Sequence, residues 1–167
     1  MRVTRAARAR VELVPRERTL RRFSAGLAVV GIAVATYIAL ADAGGGAPVC
    51  VAGGHGCATV ANSHYSHMAG VNVAVFGIAG YVLLLAAAAT PGDLGRFGGF
   101  LLSLVGFGFS AYLTYLELFV INAICQWCVA SAVLMTLLLG LTATRAFAYA
   151  GAEFAVANRA GSHEDAL

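Results

Sequence analysis

The sequence predicts an all-α integral membrane protein, a bundle of four transmembrane helices, and three observations support this. Of the 167 residues, 60% are hydrophobic and 11% are charged, whereas a soluble domain has roughly 45–50% apolar and about 25% charged residues. Four apolar runs have the length that a bilayer requires. Most of the arginines precede the first run, as is typical of a cytoplasmic tail. The length allows one membrane-embedded domain, and the composition argues against a water-soluble globule.

The four runs each approach the roughly 20 residues that cross a bilayer as a helix: Phe23–Ala41, Val71–Ala89, Phe97–Phe119 and Cys125–Phe147. A long glycine-rich segment (42–70), a Pro-Gly turn (90–93) and a short link (120–124) connect them. Small residues recur in the third run at three- and four-residue steps, and this pattern predicts close helix packing: Gly95, Gly99, Ser103, Gly106 and Ser110.

The arginine distribution predicts the orientation, because cytoplasmic segments are rich in Lys and Arg. Eight arginines lie before residue 23, lysine is absent, and Arg96, Arg145 and Arg159 fall on the same predicted side. We therefore expect residues 1–22 and 148–167 to be cytoplasmic tails of a membrane domain at 23–147. A cleaved secretory signal is the alternative for the first run, although the run exceeds the roughly 7–15 apolar residues of a signal core.

All four cysteines fall in or beside the two outward connections, which is typical of an oxidising compartment. Cys125-Gln-Trp-Cys128 is a C-x-x-C at the start of the fourth helix, where the helix dipole favours a thiolate. One helical turn places Cys128 about 4.5 Å deeper in the membrane than Cys125. Cys50 and Cys57 bracket a glycine-rich loop that permits a disulfide to open and close.

This arrangement predicts an electron relay. An external dithiol reduces the pair Cys50/Cys57, a thiolate of that pair attacks Cys125/Cys128, and the deeper Cys128 meets a lipid-soluble acceptor. Two alternatives are weighed against it: purely structural disulfides in a non-catalytic tetraspan scaffold, and a metal site built from the cysteines and loop histidines. The spacings match no familiar zinc pattern, so the histidines are expected to face solvent: His55, His64 and His67.

Glu117, near the outer end of the third run, has two interpretations. It is either a side chain at the level of the lipid headgroups or an intramembrane carboxylate that serves as a proton relay or helix partner.

Three stretches of the sequence resemble the bacterial branch of the vitamin K epoxide reductase family. They are Gly56–Ser66, Phe76–Tyr81 and Tyr115–Ala132, so the resemblance extends from the first outer loop into the fourth helix. The order of the two cysteine pairs makes it specific, because the unrelated DsbB type of quinone-linked oxidase has the C-x-x-C in its first outer loop.

The resemblance implies a four-helix bundle around a quinone (menaquinone or ubiquinone), with a short helix of the first outer loop capping the site. It implies a plasma-membrane enzyme that forms disulfides in an extracytoplasmic thioredoxin-fold partner and uses no metal. Carried over by position, Cys50 and Cys57 match the loop shuttle pair, Cys125 exchanges with Cys57, and Cys128 faces the quinone. Three further positions match the quinone pocket: Ser63, Phe76 and Tyr81.

Two departures limit what is carried over. Animal members have an asparagine and a tyrosine where this chain has Val73 and Ala132, so epoxide reduction is not implied; Asn72 would substitute only if the helix start shifts. Many bacterial members also continue into a thioredoxin-like domain, and the segment after Phe147 is too short for one. We therefore expect the redox partner to be a separate protein.

Overall fold

The computed structural model describes residues 3–51 and 54–164, and this part of the chain forms an α-helical bundle. Its four long helices are α1 (Val3–Ala43), α3 (Val73–Ala89), α4 (Asp93–Leu116) and α5 (Gln126–Glu164), and a short helix α2 (Gly56–Ala61) lies between α1 and α3. Three stretches are long and apolar enough to cross a membrane: Glu17–Ala43, Asp93–Ile121 and Gln126–Ala148. Helix α3 is apolar but shorter, at 17 residues. The predicted all-α membrane fold is confirmed.

Three of the helices extend beyond the predicted spans, and α4 does so by beginning at Asp93 instead of Phe97. Helix α1 begins at Val3 instead of Phe23, and α5 continues to Glu164. Apolarity marks only the part of a helix that meets lipid, whereas Ala, Arg, Glu and Leu continue a helix in water. The division into tails and a membrane domain stays a prediction.

The core lies where α1, α3 and α5 meet. Tyr81 is fully buried there, and its ring packs against Gly31 of α1 so closely that a β-carbon at that position would clash. The predicted small-residue stripe serves packing: Gly95, Gly99 and Ser103 are buried on α4. The remaining core residues are apolar: Ala28, Ala35, Leu84, Met135 and Leu138.

One end of the bundle, here called the arginine end, is held by charged side chains of α1, α4 and α5 that contact one another and the last turn of α3. The Glu17 carboxylate lies 3.1 Å from Arg145 and 3.6 Å from Arg96. The Arg21 side chain donates to the carbonyls of Ala88 and Ala89 at 2.8 and 2.6 Å. These carbonyls belong to the last turn of α3, where the carbonyl groups receive no hydrogen bond from N–H groups of the same helix.

The opposite end, here called the cysteine end, is covered by the segment between α1 and α3. After α2 comes a 3-10 turn (His64–Ser66), and then strands β1 (His67–Met68) and β2 (Val71–Asn72) pair antiparallel. Ala69 and Gly70 both have positive φ, at 52° and 81°, as a two-residue type I′ turn requires. Helix α2 is the predicted capping helix. Because the hairpin takes up residues 71 and 72, α3 begins at Val73.

Candidate active site

The loop pair, Cys50 and Cys57, is joined by a disulfide whose Cα atoms lie 5.8 Å apart. Cys57 stands in the first turn of α2 and is 1% exposed, and its backbone N–H donates to Cys50 Sγ at 3.2 Å. Cys50 is half-buried and follows the exposed Val49. The two residues therefore differ in access, with Cys57 enclosed and Cys50 nearer to the surface.

The second pair, Cys125 and Cys128, consists of free thiols at the start of α5, where the sequence predicted a helix to begin. Cys125 is only 2% exposed, although its place at a helix start suggested access to water. The reason is tertiary: Gly56 of α2 packs directly against the carbonyl of Ile124. Cys128 stands in the first turn of α5 and is partly exposed.

The thiol pKa of Cys125 is lowered from its ordinary value to about 7. The main cause is a hydrogen bond from the Cys128 side chain; the backbone N–H groups of Cys128 and Trp127 lower it further, while burial and the Glu117 charge act in the opposite direction. Such a thiol is substantially ionised at neutral pH, and the thiolate is the nucleophile of disulfide exchange. The C-x-x-C therefore contains an activated sulfur.

Glu117 is a carboxylate that the fold brings to the C-x-x-C. Helix α4 ends in a π-helical turn (Glu117–Ile121), and Asn122, with φ of 55°, reverses the chain toward α5. Glu117 is 4% exposed, and its Oε2 accepts the backbone N–H of Cys125 at 3.1 Å. This carboxylate is also a second acceptor, beside the Cys125 sulfur, for the single S–H of Cys128. Glu117 is therefore a buried carboxylate that contacts the start of α5, as its interpretation as a helix partner expected.

Trp127, between the two cysteines, connects the C-x-x-C to the loop. Its Nε1 donates to the Val49 carbonyl at 2.9 Å, and the Val49 N–H donates to the Tyr37 hydroxyl at 3.1 Å. The Trp127 and Tyr37 rings lie 4.9 Å apart between centroids. The backbone next to Cys50 is thus held by α1 and α5 together. Sequence reasoning missed this contact, although the need of a tryptophan N–H for a partner was an available signal.

A mainly apolar cavity of about 170 Å³ brings most of the candidate residues together. Its lining includes Cys57 and both residues of the C-x-x-C, but not Cys50. Glu117 and the three residues predicted for the quinone pocket also line it: Ser63, Phe76 and Tyr81. One loop cysteine therefore adjoins the same cavity as the helix pair.

The pocket residues differ in what their polar atoms do. The Ser63 hydroxyl donates to the Val60 carbonyl at 2.7 Å, and the Tyr81 hydroxyl lies 2.8 Å from Ser131 Oγ. Phe76 presents an apolar ring that is 46% exposed. Asn72 also lines the cavity, but its Oδ1 accepts the Ala74 N–H at 2.7 Å as the cap of α3.

The histidines His55, His64 and His67 are exposed, as expected. His67 Nε2 lies 3.2 Å from a carboxylate oxygen of Asp42. Within the described ranges, His, Cys, Asp and Glu side chains form no group of three that would hold a metal ion.

Comparison with known proteins gives one family. A sequence model of the vitamin K epoxide reductase family matches residues 22–143, a region that contains all four cysteines and the whole of the cavity lining. A search of curated proteins finds no significant match.

Proposed function

The chain belongs to the vitamin K epoxide reductase family, and from this premise we propose that it oxidises a separate thioredoxin-fold protein and reduces a membrane quinone. Members of the family are membrane oxidoreductases, and quinones are their general electron acceptors. The observation that carries the proposal is the shared cavity of Cys57, Cys125 and Cys128. A scaffold has no use for two free thiols, one of them activated, beside a disulfide whose Cys50 end is accessible.

The relay has three steps, each of which conserves atoms and electrons. The partner's two thiols reduce the disulfide Cys50–Cys57, with Cys50 as the accessible sulfur, and the partner leaves as a disulfide. A loop thiolate, that of Cys57, then attacks the oxidised pair Cys125–Cys128 and passes through a mixed disulfide. This step regenerates the loop disulfide and leaves Cys125 and Cys128 as thiols, the distribution of redox states seen in the structure.

In the third step the thiols of Cys125 and Cys128 lose two electrons and two protons and rejoin as a disulfide. A bound quinone supplies the acceptor for these electrons and protons. The cavity fits a quinone ring, because an apolar cavity of roughly 150 Å³ holds a benzene molecule and this one measures about 170 Å³. Phe76 and Tyr81 contribute aromatic surface to the wall, and Ser63 contributes a hydroxyl.

The proposal includes the orientation that the arginines predict, with both tails and Arg96 in the cytoplasm and the cysteine end outside. The placement of Arg21, Arg96 and Arg145 at one end of the bundle and the cysteines at the other supports it. Alkaline phosphatase fusions test it: activity is expected for a fusion at Gly54 and not at Arg96. The reverse pattern would contradict the predicted extracytoplasmic location of the cysteines, and with it the proposed extracytoplasmic partner.

The deciding experiment is turnover of the purified protein with a reduced thioredoxin-fold protein and a short-chain quinone, followed by quinone absorbance. We expect Cys128→Ala to lose quinone reduction to background while still forming the Cys50–Cys57 disulfide, since it removes only the last thiol of the relay. Undiminished turnover in this variant would exclude the scheme. If the wild-type cysteines stay locked in mild reductant, the chain is a scaffold with structural disulfides.

A further inference from the structure

Re-forming the disulfide Cys125–Cys128 requires that the Cys128 thiol lose its proton. The bond forms between two sulfurs, two electrons leave to the oxidant, and the protons need an acceptor. The pKa of Cys125 is lowered to about 7 and Cys128 is the hydrogen-bond donor of the pair, so the second proton to be removed is the one on the Cys128 sulfur. Since water is scarce in an apolar cavity, a side chain that takes the second proton would speed the step.

Glu117 has the position that such a group needs. Its Oε2 accepts the Cys125 N–H at 3.1 Å, and its carboxylate is a second acceptor, beside the Cys125 sulfur, for the single S–H of Cys128. It is 4% exposed and faces the cavity. A carboxylate at membrane depth is costly, and such residues usually mark proton or ion pathways.

The other titratable side chains of the cavity wall either have partners other than the thiols or belong to other elements. Asp42 lies 3.2 Å from His67, and the Tyr81 hydroxyl is bonded to Ser131. Tyr65 lines the cavity from the 3-10 turn and is 44% exposed. Among the described residues that line the cavity, Glu117 is the carboxylate in contact with a thiol.

We propose that Glu117 is a catalytic base that takes the proton of the Cys128 thiol as the Cys125–Cys128 disulfide forms, and that passes it on toward the cavity. This inference rests on the proposed function for its physiological oxidant. The chemistry at the two sulfurs is the same with any two-electron thiol oxidant. A purely structural role, in which the carboxylate only caps the start of α5 by accepting the Cys125 N–H, is the competing explanation.

The test uses full-length protein carrying Cys50→Ala and Cys57→Ala, in which diamide, a small quinone-free oxidant, closes the reduced Cys125/Cys128 pair. Two rates are followed: alkylation of Cys125, which reports its thiolate, and closure of the disulfide. Glu117→Gln keeps an oxygen that accepts the Cys125 N–H but cannot take a proton. We expect Glu117→Gln to close roughly 10²–10⁴-fold more slowly, the usual contribution of general base catalysis, with Cys125 alkylation nearly unchanged.

Glu117→Asp is the matched variant, because it retains a carboxylate on a shorter side chain and should recover most of the closure rate. Unchanged closure in Glu117→Gln, or an equal loss of closure and alkylation in both variants, would overturn the proposal in favour of a structural role. The experiment distinguishes failure of the role proposed for Glu117 from failure of the proposed function. Wild-type protein that closes its disulfide in a Glu117-dependent manner with diamide but never reduces a quinone would contradict the proposed function alone.

Discussion

The two ends of the bundle bury polar groups in different ways. At the arginine end the charges are paired with one another, because Arg96 and Arg145 share the Glu17 carboxylate. Arg21 donates hydrogen bonds to the carbonyls at the end of α3. At the cysteine end the polar groups surround a cavity, and the Glu117 carboxylate is bonded to groups whose protonation and oxidation state can change.

This difference suggests that one end of the bundle stabilises the fold and that the other carries the reactive groups. A buried charge with a fixed partner holds helices together, and breaking the pair is costly. A buried carboxylate or thiol beside open space costs free energy as well, but its partners can exchange protons and electrons. Changes at the cysteine end should therefore alter rates in a folded protein, whereas changes at the arginine end should alter folding without altering the rate per folded molecule.

The largest expected effect concerns the loop pair. In the double variant Cys50→Ala, Cys57→Ala, oxidation of a protein dithiol should fall by roughly 10³-fold or more, the scale of losing a nucleophile. Oxidation of a small membrane-permeant dithiol should fall far less, because a small molecule reaches Cys125 through the cavity directly. Steady-state rates with each reductant measure the difference. If both rates fall to background together, the loop pair belongs to the catalytic centre itself and is no shuttle.

The next effect concerns the contact between α2 and the C-x-x-C. A β-carbon at Gly56 would clash with the carbonyl oxygen of Ile124, so Gly56→Ala must push Cys57 away from Cys125. A displacement of about 1 Å can cost about 100-fold in rate, and we expect partner oxidation to slow by roughly 10–100-fold. Gly54→Ala is the matched control in the same loop, because its β-carbon would meet nothing within 4 Å. Equal rates in the two variants would show that α2 does not set this step.

The smallest effect on catalysis is expected at the arginine end. Glu17→Gln leaves Arg96 and Arg145 without their shared carboxylate, and should lower the free energy of unfolding by about 1–3 kcal/mol. The loss is smaller than for a fully buried pair because the Glu17 side chain is 22% exposed. Thermal unfolding in detergent should show a midpoint several degrees lower, with turnover per folded molecule unchanged. Arg18→Gln, at an exposed position of the same helix, is the control. Lost turnover in folded Glu17→Gln protein would refute the division between the two ends.

Much of the fold was predictable because a bilayer imposes simple rules on a sequence. Apolar length marked the membrane stretches, glycine and proline marked the turn at residues 90–93, and the small residues of α4 proved to be packing positions. The helix ends were less predictable. Hydropathy does not report where a helix stops in water, so α1 and α5 extend past the predicted limits.

The candidate site was predictable in its residue types and not in its contacts. The spacing of Cys125 and Cys128 indicated a thiolate at a helix start, and the thiol pKa of Cys125 is lowered. The enclosure of Cys125 was not foreseen, because it depends on Gly56, which is almost seventy residues earlier in the chain. The link from Trp127 to Val49 depends likewise on two distant segments meeting.

The sequence by itself therefore determined that this is a helical membrane protein with two cysteine pairs and a C-x-x-C at a helix start, and its motifs indicated the family. These properties depend on composition, periodicity and short spacings, which are local. Only the tertiary structure decided which cysteines share a cavity, that Glu117 contacts both Cys125 and Cys128, and that Cys57 is enclosed while Cys50 is not. Such contacts join separate helices and turns, some distant in sequence and others, like that of Glu117 with Cys125, close in sequence but on different elements. The packing of α2 and the π-helical turn against α5 sets them.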